Sequence, residues 1–476
     1  MYKRQVLRLS AKVGDRFVAQ LALYCREQGF MKDMPALLCA ILAGRDVELL
    51  AEIFPRVIDN GKMVRNFVQI VRSGVTGRKS LGSAPKRLVR QWLDRADERQ
   101  LLAASVGRQP SLADVVKMVH PKPKSEERDA FFAWLIGKPF DAAQLPAVVR
   151  EYEEWKETRD GEVPDVPFQM LTALDLGTSE WTAIARKAPW HMTRMNLNTF
   201  ARHGVFEEQG MTDLIAKRLA DRGAVQRSRV FPYQLLAASM NVGDGVPVKV
   251  TNALQDAMEH AIENVPVVPG RVVICPDVSG SMHSPVSGYR KGSSSKVRCV
   301  DVAALVAAAM LRKNPEALVL PFMNDVVTCR LNPRDSVLTN AKKLASLPAG
   351  GTNCSAPLAW LNKHKRKADL VFFVSDNESW IDSPHYGWCG GGKTATMRQW
   401  QEIRRRSPHA RLVCLDIQPN THTQAKGRPE ILNIGGFSDQ VFKIVDRFAK
   451  GGLGADELVG EIKGVTLRTR EKRNSA

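Results

Sequence analysis

From Lys12 to about Asn264 the apolar residues recur at the three- and four-residue spacing of amphipathic helices, and almost nothing alternates with the period of a strand. Met63, Phe67, Ile70 and Val71 follow i, i+4, i+7 and i+8, and Gly74 stands where such a helix would stop. Val47, Leu50, Phe54 and Val57 repeat at similar spacing, with Pro55 predicted to break the run and open a new first turn. The pattern returns over Pro85 to Leu93, Leu112 to Val119, Arg128 to Ile136 and Met211 to Leu219. Many short amphipathic helices in series predict an α-solenoid of stacked helix pairs. No strict sequence period marks the repeat.

From Arg271 the pattern changes. Strand-like apolar runs at Val272 to Cys275, Ala317 to Phe322, Leu370 to Val374 and Leu412 to Leu415 alternate with helical stretches such as Lys296 to Arg312 and Met397 to Arg405. Such alternation predicts right-handed βαβ units and a parallel sheet covered on both faces. At 476 residues the chain exceeds one ordinary core, and the proline-bearing VPVVPG at Val265 to Gly270 reads as the link between two folding units. The predicted class is therefore α plus α/β. A helical unit spans 1–265, a Rossmann-like unit spans 270–450, and 451–476 is a basic tail expected to be disordered.

Charge changes this picture most. The formal net charge is +19, and an excess of that size attracts polyanions by phosphate neutralisation and counterion release, so nucleic acid is the favoured partner. Arg65, Arg72, Arg78, Lys79, Lys86, Arg87 and Arg90 form one basic region, and Lys117, His120, Lys122, Lys124 and Arg128 a second. Between helices, GVTGRKSLGS at Gly74 to Ser83 is a flexible basic loop suited to phosphate contacts. The eight cysteines include no C-x-x-C pair, and Cys275 and Cys414 fall inside apolar strand patterns as buried thiols. Neither H-E-x-x-H nor G-x-S-x-G occurs. No apolar stretch approaches bilayer length and no secretory signal is legible, so a cytoplasmic protein without membrane attachment is expected.

The candidate chemistry gathers at strand ends. Asp277, Ser279 and Ser281 form D-x-S-x-S directly after the first strand, and an all-oxygen set suits a hard cation such as magnesium. The same residues also suit an acidic turn whose serines satisfy helix amides. Gly350, Gly351 and Thr352 in AGGTNCS, and Asp376 in SDNES, fall at later strand ends. Two stretches lie nearby. HSPVSGYRKGSSSK at His283 to Lys296 is long enough to reach an anionic ligand, or to be a plain surface loop. GWCGGGKT at Gly387 to Thr394 fits the P-loop pattern, with LVCLD ending at Asp416 as a carboxylate strand. A working P-loop follows its strand directly and opens a helix, whereas here the strand end belongs to Asp376 and other residues intervene.

Two serines, a threonine and an aspartate in this order resemble the metal-ion-dependent adhesion site of von Willebrand factor A domains. That resemblance implies that Ser279, Ser281 and Thr352 contact the metal directly, while Asp277 and Asp376 act through water or hold the loops. With VFPYQLLAAS at Val230 to Ser239, AGGTNCSAPLAW at Ala349 to Trp360, SDNES at Ser375 to Ser379 and KMVHPKP at Lys117 to Pro123, the chain resembles the TROVE family, the Ro autoantigen and its bacterial relatives. The likeness runs from about Lys12 to Lys450, and relatives begin further upstream of the first helix. It implies a HEAT-like helical ring with a basic hole, joined to a von Willebrand factor A domain. It further implies a non-catalytic RNA quality-control or chaperone factor, monomeric, that binds Y-like RNA on an outer face and the 3′ ends of misfolded noncoding RNAs in the hole. An exoribonuclease is a further partner to expect. Lys86, Arg87, Arg108, Lys117, His120 and Lys122 are the expected RNA contacts, and a divalent cation, magnesium foremost, the expected cofactor. A metal-dependent protein-binding adaptor and a P-loop ATPase are the alternatives.

Overall fold

The structure is a computed structural model that describes residues 2–228, 230, 232–287, 295–376, 395–418, 425, 427–436, 440–452 and 455–467. It divides into two compact units, 1–180 with 458–476, and 181–457. The division does not fall at the proline-bearing link, because the later helices pack with the α/β part. Helix Val248–Ala261 lies against both Met211–Ala220 and Val337–Ala345. Its Glu259 accepts from the Val337 backbone N–H at 2.9 Å and pairs with Arg312 at 3.6 Å.

In the first unit short helices follow one another with side-chain caps at their starts. Asp46 accepts from Leu49 N, Asn60 from Met63 N and Ser125 from Arg128 N, and Asp97 with Gln100 and Ser111 with Asp114 close two capping boxes. Each cap supplies an acceptor to an amide the helix cannot satisfy, typically worth about 1 kcal/mol. The apolar stripes meet in one core that buries Leu23, Leu37, Phe54, Phe67 and Phe131, with Phe54 edge-on to Phe67 at 5.2 Å. Helix Gly61–Arg72 comes so close to its neighbour that a Cβ on Gly61 would sit 2.1 Å from Ala104 Cβ.

Two expectations for this unit are corrected. Pro55 does not break its helix, which runs unbroken over Val47–Val57. The proline falls in the last turn, where only two helical residues follow it, and Leu50, Phe54 and Val57 hold the stripe buried. The second correction concerns the tail. Residues 455–464 form helix Ala455–Gly464, and Leu467 is buried in the first unit's core. Gln20 donates to the carbonyls of Lys463 and Val465, and Arg56 to those of Thr466 and Leu467 at 2.6 and 2.9 Å.

The second unit carries a five-stranded sheet. Strands β1 (Val272–Pro276), β2 (Leu318–Val319), β3 (Leu370–Ser375), β4 (Arg411–Asp416) and β5 (Ile431–Gly435) lie in the order β2-β1-β3-β4-β5, all parallel. β1 and β3 are buried throughout, as expected of unbroken apolar runs in a sheet covered on both faces. Cys275 and Cys414 are free, buried thiols, and burial pushes Cys414 up to about 12. The second predicted strand shrinks to Leu318–Val319, with Phe322 making a separate parallel bridge to Asp277. The chain runs from β1 outward to β2 and then returns past β1 to β3. Strand order thus reverses between β1 and β3, and the crevice at their carboxyl ends is the place where open α/β sheets bind ligands. Among the described residues no helix is long and apolar enough to cross a membrane.

Candidate functional site

The oxygen-bearing turn sits at that reversal. Asp277 follows β1 and Asp376 follows β3, and the Asp277 backbone N–H donates to Val374 O at 2.9 Å. One Asp277 oxygen accepts from Ser279 N at 2.8 Å, and the other from Ser375 Oγ at 2.8 Å. The carboxylate therefore stitches its own turn to the neighbouring strand end. The Ser279 and Ser281 hydroxyls lie 3.3 Å apart. Gly280 N donates to Gly350 O at 2.8 Å, which ties the AGGTNCS loop to the turn and brings the Thr352 segment beside it. A Cβ on Gly350 would come within 2.7 Å of Met323 Sδ, so that side chain would have to shift.

Asp277, Ser279, Thr352 and Asp376 are all buried. Burial pushes the Asp277 carboxyl up to about 7, the charge of Asp376 adds to the rise, and the Ser279 and Ser375 hydrogen bonds oppose it without cancelling it. Among the described residues no cationic side chain is a cause of lowering it. Two carboxylates are thus buried at neighbouring strand ends, beside hydroxyl oxygens. That donor chemistry fits a hard divalent cation. Among the described residues no three or more His, Cys, Asp and Glu side chains converge as a metal site, so this hydroxyl-rich cluster is the candidate.

Beside the turn, Arg298 holds Asp301 at 2.7 Å and His283 Nδ1 at 3.0 Å. The predicted stretch from His283 to Lys296 is described at 283–287 and 295–296, and Arg290 and Lys291 lie outside the described residues, as does the whole of GWCGGGKT.

The basic residues of the first unit separate into two kinds. Some are struts. Arg78 donates to the carbonyls of Ala43 and Leu81, Arg90 to Val119 O, and Arg128 to Leu93 O. Arg65 is partly desolvated against Gly107, where a Cβ would lie 2.0 Å from its guanidinium. The expected phosphate role of the Gly74 to Ser83 loop therefore does not extend to Arg78. Others are exposed: Arg72, Lys79, Arg87, Arg108, Lys117, Lys122 and Lys124.

His120 is exposed and ends helix Leu112–Val119 in the left-handed conformation, φ 51°. Its backbone N–H donates to Val116 O at 2.9 Å, so the chain turns out of the helix into PKPK with the imidazole at the surface. Lys117 lines a cleft of about 580 Å3 with Arg72, Gln69, Gln109 and Asp114. Lys86 lines another of about 450 Å3 with Ser80, Ser83 and Arg90, and the Arg90 bond to Val119 O sets it beside the end of the His120 helix. The structure thus brings Lys117, His120 and Lys122 into one stretch and links Lys86 to it, while Arg108 adjoins Gln109 of the larger cleft. Asp114 escaped the sequence reading, since it looks like an ordinary capping residue; charge from Lys117 and Arg72 adds to its Ser111 hydrogen bonds in holding it below the usual carboxylate range.

Comparison with known proteins divides the chain at the proline-bearing link rather than after residue 180. A family model described as TROVE domain matches residues 59–267, and one described as Ro60 vWA domain matches 271–449. The RNA-binding protein RO60 of Deinococcus radiodurans is 24% identical over 459 residues, 90% of this chain and 83% of that protein. Its namesake in Caenorhabditis elegans is 26% identical over 273 residues, 55% of this chain and 40% of that one. The crystal structure of the Deinococcus radiodurans RO (RSR) protein superposes with a TM-score of 0.67 at 21% identity, covering 95% of this chain and 93% of the other.

Proposed function

The chain belongs to the TROVE family, with a TROVE domain followed by a Ro60-type von Willebrand factor A domain, and from that premise we propose that it binds structured small noncoding RNA of the Y type and the 3′ ends of misfolded noncoding RNAs. It acts in RNA quality control as a monomeric, cytoplasmic, non-catalytic factor. The observation that carries the reading is the exposed cation set of Arg72, Lys117 and Lys122 around the exposed His120, inside the segment that matches the TROVE domain. A folded RNA presents phosphates and shape to such a surface, and each lysine that meets a phosphate releases counterions.

In the α/β unit, Ser279, Ser281 and Thr352 would hold a divalent cation directly, with Asp277 and Asp376 orienting the turn around it. A divalent cation held there would supply positive charge beside the buried Asp277 and Asp376 carboxylates. The all-oxygen donor set at the strand ends favours a second reading, a cation-dependent adaptor for a protein such as an exoribonuclease.

The test is the nucleic acid that copurifies after a moderate salt wash, identified by sequencing, together with filter binding at one fixed salt concentration. Structured small RNA is expected, and Lys117→Ala with His120→Ala should weaken a folded Y-like RNA while sparing an RNA with a single-stranded 3′ tail. Equal losses would mean one surface. If no RNA copurifies and none binds at low salt, the RNA reading fails, and partner binding abolished by chelation would promote the adaptor.

A further inference from the structure

The amino ends of the strands carry a second concentration of charge. Helix Ala356–Lys363 leads through a turn into β3, and helix Ala395–Arg406 leads into β4. The two helices pack side by side, and Arg406 joins their ends by donating to Asn362 Oδ1 at 2.7 Å and to Arg366 O at 3.4 Å. Between the first helix and β3 the chain reads Lys363, His364, Lys365, Arg366, Lys367, all exposed. Among the described residues none of these four cations forms an ion pair, whereas Arg271 and Arg405 on the same edge are paired with Asp369 and Glu402. β3 is six residues long, so this edge lies roughly 20 Å from the oxygen cluster at the other end of the strand.

Two details separate this run from an ordinary solvated helix end. Lys365 sits at φ 50°, and the bonds Lys365 N to Asn362 O and Arg366 N to Leu361 O give the helix a terminus of the kind that glycine normally closes. A lysine there adopts a conformation that L residues disfavour by about 1–2 kcal/mol, at a position glycine would occupy without strain. The second detail is a ring pair. Trp360 and His364 stack at 4.0 Å and 27°, and the His364 Nδ1–H donates to Trp360 O at 2.8 Å, which fixes the imidazole in place. One face of the imidazole covers the indole, and His364 as a whole is exposed.

We propose that Trp360, His364 and the cations Lys363, Lys365, Arg366 and Lys367 form a binding surface for single-stranded RNA, separate from both the His120 face and the oxygen cluster. The cations neutralise successive phosphates while an unpaired base extends the Trp360–His364 stack. A duplex buries its base faces in its own stack, so the surface discriminates against it. An acidic protein segment would use the cations but gain nothing from the rings. The inference rests on the RNA-binding reading.

The test uses the full chain and a fluorescent oligouridine, with an RNA duplex and polyglutamate as competitors. Lys365→Gly relieves the strained turn, so its melting temperature should hold or rise while oligouridine affinity falls; a purely structural lysine would give the first change without the second. Combined with Lys363→Ala and Lys367→Ala, affinity should fall at least about tenfold and the slope of log affinity against log salt should flatten by about 2, near 0.7 per lost phosphate contact. His364→Ala should weaken oligouridine by about fivefold or more with the slope unchanged. Wild-type affinity and slope in the triple variant would overturn the proposal while leaving RNA binding at His120 intact. Equal weakening of the duplex, or polyglutamate competing as well as oligouridine, would overturn the single-strand assignment. A wild-type chain that binds no RNA at all would take down the parent reading as well.

Discussion

The oxygen cluster of the α/β unit and the basic face of the helical unit both have the chemistry to meet a ligand, yet they are assembled in opposite ways. In the cluster, Asp277 is buried and uses both oxygens to hold Ser279 and Ser375, and Gly280 ties its turn to Gly350. No member can move without disturbing another. On the basic face, Lys117 and Lys122 are exposed and, among the described residues, form no salt bridge, so each contributes largely on its own. Damage to one member of the cluster should therefore be felt by the others, whereas damage to the face should stay local and additive.

The sharpest break in that contrast is at the cluster. Ser281→Ala with Thr352→Ala should lower magnesium affinity by on the order of 100-fold or more, and Asp376→Asn alone by about 10- to 100-fold. Titration calorimetry reads both, and unchanged affinity in the double variant would remove the cation assignment. Next in size is a strut. Arg78→Ala strands the carbonyls of Ala43 and Leu81, so denaturant unfolding should show a loss of about 1–3 kcal/mol, with the salt slope of RNA binding unchanged. The smallest effect sharpens the comparison most. Lys79→Ala, one residue along, should change stability by less than about 0.5 kcal/mol while flattening the salt slope by up to about 0.9. If Arg78 and Lys79 behave alike in both measurements, the distinction between struts and free cations is void.

The cluster was legible because each of its parts is local. D-x-S-x-S, AGGTNCS and SDNES each stand at the end of an apolar run, and a parallel sheet collects strand ends on one edge. The sheet itself was legible for the same reason, except for β5. ILNIG is short, carries Asn433 and ends in Gly435, and it bears no run of β-branched residues to announce a strand. Sorting the arginines was beyond sequence reasoning, since Arg78 reaches Ala43 and Arg90 reaches Val119 only through tertiary approach of helices. The charged composition after Gly451 also outweighed the few apolar positions, Ile462 and Leu467, that bury it. The run at Lys363 to Lys367 could be read as charge, but the strained Lys365 and the Trp360–His364 stack exist only in three dimensions.

The return of Lys463 to Leu467 onto Gln20 and Arg56 sets the order in which the protein can mature. Gln20 and its partner Lys463 are 443 positions apart in the chain, so during synthesis the first helices leave the ribosome long before the segment that covers them. Until it arrives, the site that receives Leu467 stays open and the first unit is short of its last piece. Nascent chains halted before Leu467 should therefore be more readily cleaved by protease within the first unit than chains that extend past it.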